Sequence, residues 1–329
     1  MKLLDALAAA ALSFGFVAAS AIPTRPLRRA NVDPVLTRDF ADPSIFEDED
    51  GTWYAFGTTG NGKQIQVATG EDIYEEWNLL DDIDALSNPA PWTTGHNTWA
   101  PDVHLMPNGK YVMYFAGEVA ENPRFHCIGT AVSDTATGPY VPADEPFACN
   151  LTIGGAIDPS GFEDEDGTRY VLYKVDGNSI GHGGSCGNTI EPIAPTPIML
   201  QEVEDDGLTP IGDPVQIFDR DDDDGPLVEA PSLLRTGAGL YILFFSSGCY
   251  LEPSYNVNYA TSTNLTGPYQ RASRPMIKTG EYSLQAPGGA TAVNLGDKVA
   301  VAYHANCQQG RCLHISPTIV DGRKVEIET

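Results

Sequence analysis

Three observations predict an all-β protein, a β-propeller of five blades with four antiparallel strands in each. The first is a duplicated segment. Asp42 to Thr52 reads DPSIFEDEDGT and Asp158 to Thr168 reads DPSGFEDEDGT, and a repeat this long marks duplicated architecture. The second is a period: Gly51, Gly109, Gly167, Gly239 and Gly296 each separate two short apolar runs, at spacings of 58, 58, 72 and 57 residues. The third is the texture of those runs. Apolar, aromatic and β-branched residues alternate between glycine turns, which is the pattern of hairpins, and helical periodicity is scarce.

The strands follow in order along each unit. Before the five glycines stand ADPSIFEDED, APDVHLMPN, IDPSGFEDED, APSLLRTGA and APGGATAVNL, the innermost strands. After them come TWYAFGT, KYVMYFAG, TRYVLYKV, LYILFFSS and DKVAVAYHA, the second strands. IQVAT, IGTAVSDTATGPY, IMLQEV, VNYATSTNLTGPY and LHISPTIV supply third strands, most of them turning into a fourth. Four short strands repeated five times describe propeller blades, and a β-sandwich would not keep so regular a period. The long interval between Gly167 and Gly239 holds an insertion with Gly181-His182-Gly183-Gly184 and the acidic run Asp221 to Asp224, read as a solvated loop.

The chain divides into a signal peptide at 1–20, a propeptide or basic linker at 21–31, and the propeller at 32–329. Lys2 precedes an apolar, small-residue stretch to Ala19, and Ala18-Ala19-Ser20 fits signal-peptidase cleavage. The stretch is barely long enough for a membrane span and no stop-transfer charges follow it. Arg28-Arg29 resembles a dibasic processing site. Secretion in turn makes the six cysteines an even set in an oxidising compartment, hence three disulfides. Asn150-Leu-Thr and Asn264-Leu-Thr are glycosylation sequons if the host glycosylates. The formal charge of −26 repels nucleic acid and anionic membranes and disfavours polyanionic substrates, leaving small or neutral ligands.

Propeller geometry sorts the loops. The start of each innermost strand and the loop from second to third strand share one face. Asp42, Asp102, Asp158 and Glu229 are expected at innermost-strand starts around the axis. Cys127, Cys149, Cys186, Cys249, Cys307 and Cys312 fall near the same face, with His304 and Arg311. Of the 15 connectivities six cysteines allow, the expected one is Cys307 with Cys312, Cys127 with Cys149, and Cys186 with Cys249. Several acids around one funnel suit glycoside hydrolysis: one carboxylate activates water, a carboxylic acid protonates the leaving oxygen, and a third carboxylate raises the acid's pKa. Trp99 and Trp53 would offer stacking faces for sugar. Taken singly, an aspartate before proline is a turn former, and the acidic runs at 47–50 and 163–166 read as solvent-facing.

Ala41-Asp42-Pro43-Ser44, Trp99-Ala100-Pro101-Asp102, Ile157-Asp158-Pro159-Ser160 and Val228-Glu229-Ala230-Pro231 together resemble glycoside hydrolase family 43, in that family's order and over nearly all of the chain after residue 31. The resemblance implies a secreted, extracellular, inverting five-bladed propeller acting on arabinan, arabinoxylan or xylo- and arabino-oligosaccharides. It makes Asp42 the general base, Glu229 the general acid and Asp158 the residue that tunes and positions the acid. It places Trp99, Asp102 and Arg311 toward substrate. His304 matches a histidine that family members hold near the axis, often beside a calcium ion; the two-carboxylate chemistry itself calls for no cofactor. The chain stops after the fifth blade, which fits arabinanases and arabinofuranosidases better than β-xylosidases. An arabinose-releasing α-L-arabinofuranosidase or arabinanase is therefore expected, with a β-xylosidase, an endo-arabinanase and a non-catalytic carbohydrate-binding propeller as alternatives. A fructosidase on a similar propeller would carry Asn-Asp-Pro-Asn, Arg-Asp-Pro and Glu-Cys motifs in place of the ones present.

Overall fold

The structure, a computed structural model, describes residues 32–296 and 298–328; the expected signal peptide at 1–20 and the expected propeptide or linker at 21–31 lie outside the described residues. Five antiparallel sheets stand around one axis. Blade 1 is Ser44–Glu47, Trp53–Gly57, Gln66–Gly70 and Asn78–Leu79; blade 2 is Trp99–Leu105, Tyr111–Glu118, His126–Ser133 and Val141–Pro142. Blade 3 is Ala156–Glu163, Arg169–Val175, Ile198–Val203 and Pro210–Phe218. Blade 4 is Val228–Arg235, Tyr241–Ser247, Asn256–Ser262 and Gln270–Arg271, with Ile277–Lys278 also pairing to its third strand. Blade 5 is Gly288–Asn294, Val299–Cys307, Gly310–Asp321 and Lys324–Ile327. The innermost strands of successive blades pack on one another, and that of blade 5 packs on that of blade 1.

The five period-setting glycines behave alike. Each joins an innermost strand to a second strand at a φ between 78° and 86°, the left-handed region where a side chain is strained. In blades 1 to 4 the glycine N–H donates to the carbonyl three residues earlier, at 2.8–3.0 Å, from Gly51 to Asp48 through Gly239 to Thr236. This is the three-residue hairpin built on a turn with a left-handed glycine, and it explains the sequence period directly.

Apolar side chains pack between blades. Phe56, Val67, Met113 and Phe115 fill the space between blades 1 and 2. Phe244, Tyr259, Val301 and Tyr303 do so between blades 4 and 5. The ring closes without strand exchange. Residues before blade 1 lie on blade 5: Val35 N–H donates to Leu313 O at 2.9 Å and Phe40 N–H to Arg311 O at 2.7 Å, and Val35, Leu36 and Phe40 join Ala300, Leu313 and Ile315 in one core. Trp53 belongs to that core, 6% exposed. It is a closure residue, far from any sugar-stacking role, because its strand position follows the hairpin at the opposite end of the blade.

The disulfides are Cys127–Cys149, Cys186–Cys249 and Cys307–Cys312, the expected pairing. Two acidic runs are less bland than expected. Asp48 and Asp164, one in each copy of the repeat, accept a tyrosine hydroxyl from the next blade, Tyr111 at 2.8 Å and Tyr241 at 2.7 Å. In the Asp221 to Asp224 run, Asp222 and Asp223 are exposed, but Asp224 is buried against Arg271 at 2.8 Å. Burial lifts its pKa to about 6.

Candidate active site

The site grows from one irregularity repeated five times. Near the start of each innermost strand a residue takes positive φ: Asp42 at 52°, Ala100 at 42°, Asp158 at 54°, Ala230 at 50° and Gly289 at 60°. In blades 2 to 5 the strand pairing skips across this position. Such bulges re-aim side chains at functional sites, and a non-glycine residue in this conformation costs about 1–3 kcal/mol. Two of the five are the repeated aspartates. Gly289 has a steric reason as well, since a Cβ there would lie 2.7 Å from His304 Nδ1 and 2.8 Å from Asp42 Oδ1.

Register assigns a second ring. Thr58, Ala116, Lys174, Ser246 and His304 stand two residues beyond the partner of Ser44, Asp102, Ser160, Ser232 and Thr291. Three of these side chains accept the bulge N–H of the next blade: His304 Nδ1 from Asp42 at 3.1 Å, Thr58 Oγ1 from Ala100 at 2.8 Å, Ser246 Oγ from Gly289 at 2.9 Å. Lysine cannot accept a hydrogen bond. In that sector Asp158 Oδ2 takes the Ala230 N–H instead, at 2.9 Å, and Lys174 turns to Glu229, Nζ to Oε2 at 3.3 Å.

Asp42 accepts the Thr58 hydroxyl on Oδ2 at 2.7 Å and faces Arg311 across 3.8 Å on Oδ1. His304 Nδ1 meets both the Asp42 N–H and, at 3.3 Å, Asp42 Oδ1. One ring nitrogen cannot serve a donor and an acceptor at once, so the shorter amide contact makes Nδ1 the acceptor. Burial and the Arg311 charge keep this histidine below its ordinary pKa, hence neutral. For Asp42, burial opposes ionisation, but the Arg311 guanidinium and the Thr58 hydroxyl outweigh it. The carboxyl is held well below the usual carboxylate range.

Asp158 has the opposite setting. Burial and the neighbouring Glu229 carboxylate push its pKa well above the ordinary value, against the pull of Lys174. Glu229 is gripped at both oxygens: Tyr255 donates its hydroxyl to Oε1 at 2.8 Å, and Lys174 faces Oε2. Lys174 is 0% exposed and also donates to Asp176 at 3.0 Å. Its carboxylate partners outweigh burial and keep it charged.

These groups wall a pocket of about 140 Å³ formed by Asp42, Thr58, Trp99, Ile157, Asp158, Glu229, Tyr250, Tyr255 and Arg311. Trp99 stacks on His126, ring centroids 3.7 Å apart, and Arg311 lies over Tyr250 at 5.4 Å. Asp102, expected toward substrate, is not on this wall. It stands two residues past the bulge, level with Ser44, Ser160 and Ser232, where it accepts from Ser44 Oγ at 2.7 Å and Gly161 N at 2.6 Å and pairs with His104 at 2.7 Å. It ties blades 1, 2 and 3 together beneath the pocket. Lys174, Tyr255, Thr58 and Tyr250 escaped the sequence reading. Thr58 and Lys174 had a signal, since each stands seven residues after its hairpin glycine; Tyr250 and Tyr255 lie in an irregular loop and had none.

The calcium expectation rests on His304 alone. His304 Nε2 is buried with no hydrogen-bond partner, but it is one nitrogen. Among the described residues no group of three or more histidine, cysteine or carboxylate side chains is placed to hold an ion, whereas calcium takes six to eight oxygen ligands.

Comparison with known proteins fits this arrangement. The family model for glycosyl hydrolases family 43 matches residues 32–323. An extracellular endo-α-(1→5)-L-arabinanase of Thermotoga petrophila is 28% identical over 258 residues, covering 69% of this chain and 50% of that protein. A xylosidase/arabinosidase of Humicola insolens is 30% identical over 159 residues, 43% of this chain and 45% of that protein. The chain thus spans about half the length of these curated relatives. The crystal structure of a thermostable family-43 glycoside hydrolase superposes with a TM-score of 0.74 at 23% identity, covering 88% of this chain and 93% of that one, a likeness of fold.

Proposed function

The chain belongs to glycosyl hydrolases family 43, and from that premise we propose that it is a secreted, inverting glycosidase that releases arabinose from arabinan or arabino-oligosaccharides. The observation that carries the reading is the opposed setting of the carboxylates in one pocket. Asp42 is kept ionised beside Arg311 and Thr58, as a base that activates water must be. The Asp158–Glu229 pair is buried and mutually repelling, so it retains a proton to higher pH than a lone carboxylic acid, as an acid must. In this scheme water gives its proton to Asp42 as its oxygen bonds the anomeric carbon from one side. Glu229 gives its proton to the glycosidic oxygen as that bond breaks on the other, inverting the centre. Asp158, anchored by the Ala230 amide, stands beside the acid and positions it.

Arabinose is favoured by the arabinanase of Thermotoga petrophila, and Trp99 and Tyr250 in the pocket wall offer faces on which a sugar ring can stack. The xylosidase/arabinosidase of Humicola insolens supports β-xylosidase activity as the second reading. Three disulfides support an oxidising, extracellular destination.

The test is product analysis on linear arabinan, arabinoxylan, xylobiose and aryl arabinofuranoside and xyloside, with Glu229→Gln as control. Arabinose from the wild type and none from the variant is the expected result, with the inverted anomer appearing first by NMR. Xylose alone would move the reading to a β-xylosidase. Binding without cleavage would make the chain a carbohydrate-binding propeller.

A further inference from the structure

Lys174 is the one member of the second-strand ring that is ionised and wholly buried, and it touches the acid. Its ammonium lies 3.0 Å from Asp176 Oδ1 and 3.3 Å from Glu229 Oε2, with both carboxylates also largely buried. An ammonium offers donors only. A proton on Oε2 would set two donors against each other, so it belongs on Oε1. There the Tyr255 oxygen, 2.8 Å away, can accept as well as donate.

Resting on the glycosidase reading above, we propose that Lys174, charge-compensated by Asp176, is a positioning residue that fixes the acid proton on Glu229 Oε1 and sets how readily it is released. When the proton passes from Oε1 to the glycosidic oxygen and the C–O bond breaks, the alcohol departs and Glu229 is left as a carboxylate. Lys174 already faces its other oxygen and stabilises that charge. Asp176 limits the effect. Without it, the uncompensated ammonium would favour the ionised form of Glu229, whose proton would be lost to solvent before substrate arrives. The pair therefore acts as a matched set of opposite charges whose separate removal pushes the acid in opposite directions.

Two single variants and their combination read this out. Lys174→Met removes the positive charge, so the acid holds its proton more tightly and the alkaline limb of kcat/KM moves up by about one pH unit or more. Asp176→Asn leaves the ammonium uncompensated, and the same limb moves down. Lys174→Met/Asp176→Asn removes both charges together and returns the limb toward that of the wild type; it leaves the net charge of the buried cluster unchanged, and so covers the case in which the lysine variant alone fails to fold. In all three the acidic limb, set by Asp42, stays in place. Shifts of one sign in both single variants, or a fixed alkaline limb with kcat merely reduced, would overturn the proposal and leave a packing role only. Carboxyl ¹³C NMR on glutamate-labelled protein, with Glu229→Gln supplying the assignment, reads the Glu229 titration without any turnover. A wild type that cleaves no glycoside would sink the functional reading, while this titration would still decide whether the Lys174–Asp176 pair governs the proton.

Discussion

Asp42 and Asp158 open the same eleven-residue segment, occupy the same bulge at φ of 52° and 54°, and lead to hairpin glycines at 84° and 86°. Their companions Asp48 and Asp164 even take equivalent tyrosine hydroxyls from the next blade. Yet one carboxyl is held far below its ordinary pKa and the other well above it. The repeated segment supplies a carboxylate at the axis and nothing more. Its character comes from residues outside the repeat: Arg311 and Thr58 around Asp42, Glu229 and the Ala230 amide around Asp158. A duplicated backbone can therefore carry the base and the partner of the acid at equivalent positions, provided the unrepeated positions diverge.

The harshest way to break the comparison is to neutralise each aspartate in turn. Asp42→Asn removes the water-activating charge, and kcat should fall by about 10²–10⁴-fold on every substrate, activated aryl glycosides included. Asp158→Asn should do less and differently. An asparagine oxygen can still accept the Ala230 N–H, so the backbone stays, but the second carboxyl of the mutually repelling Asp158–Glu229 pair is gone. The acid then ionises sooner, and the alkaline limb of kcat/KM moves to lower pH by about one unit or more. Equal losses in the two variants, with no movement of either limb, would mean the two sites are not functionally distinct.

Arg311→Met sharpens the other half. The guanidinium is the largest counterweight to burial at Asp42; without it that carboxyl protonates at higher pH, so the acidic limb moves up while the alkaline limb stays. KM should rise as well, because Arg311 and Tyr250 share a wall of the pocket. A pH profile unchanged in Arg311→Met would assign the arginine to substrate contact alone.

The parts of this scheme legible in the sequence are those that repeat. Hairpin glycines, strand order and the two axial aspartates show themselves because the same physical demand recurs five times or twice. Asp102 is harder to place by the same logic: it also precedes a hairpin, but Ala100 holds the bulge in its blade, and two residues make the difference between the pocket wall and the layer beneath it. Trp53 was misjudged because an aromatic side chain reads the same in a wall and in a core until the blades are closed. Lys174 fills a ring position that elsewhere holds threonine, serine or histidine, and its meaning depends on Glu229 in the next blade. Tyr255 reaches Glu229 from a loop with no period. The carboxylates could be found along the chain, whereas the groups that tune them come together only through packing between blades.

Thr58 and Ser246 give the finest form of the comparison, since both hydroxyls accept a bulge N–H from the next blade. Thr58 alone also donates to Asp42 Oδ2. Thr58→Val leaves the Ala100 N–H unsatisfied at a strained φ and should cost about 1–3 kcal/mol of stability, read as a lower denaturant midpoint with unchanged slope. It also removes a hydrogen bond that favours ionised Asp42, so the acidic limb of kcat/KM should rise by a fraction of a pH unit to about one unit. Ser246→Ala orphans the Gly289 N–H and should show a similar loss of stability with the acidic limb fixed. If both variants move that limb alike, the ring acts by holding the backbone of the bulges, and the Thr58 hydroxyl has no separate hold on the charge of Asp42.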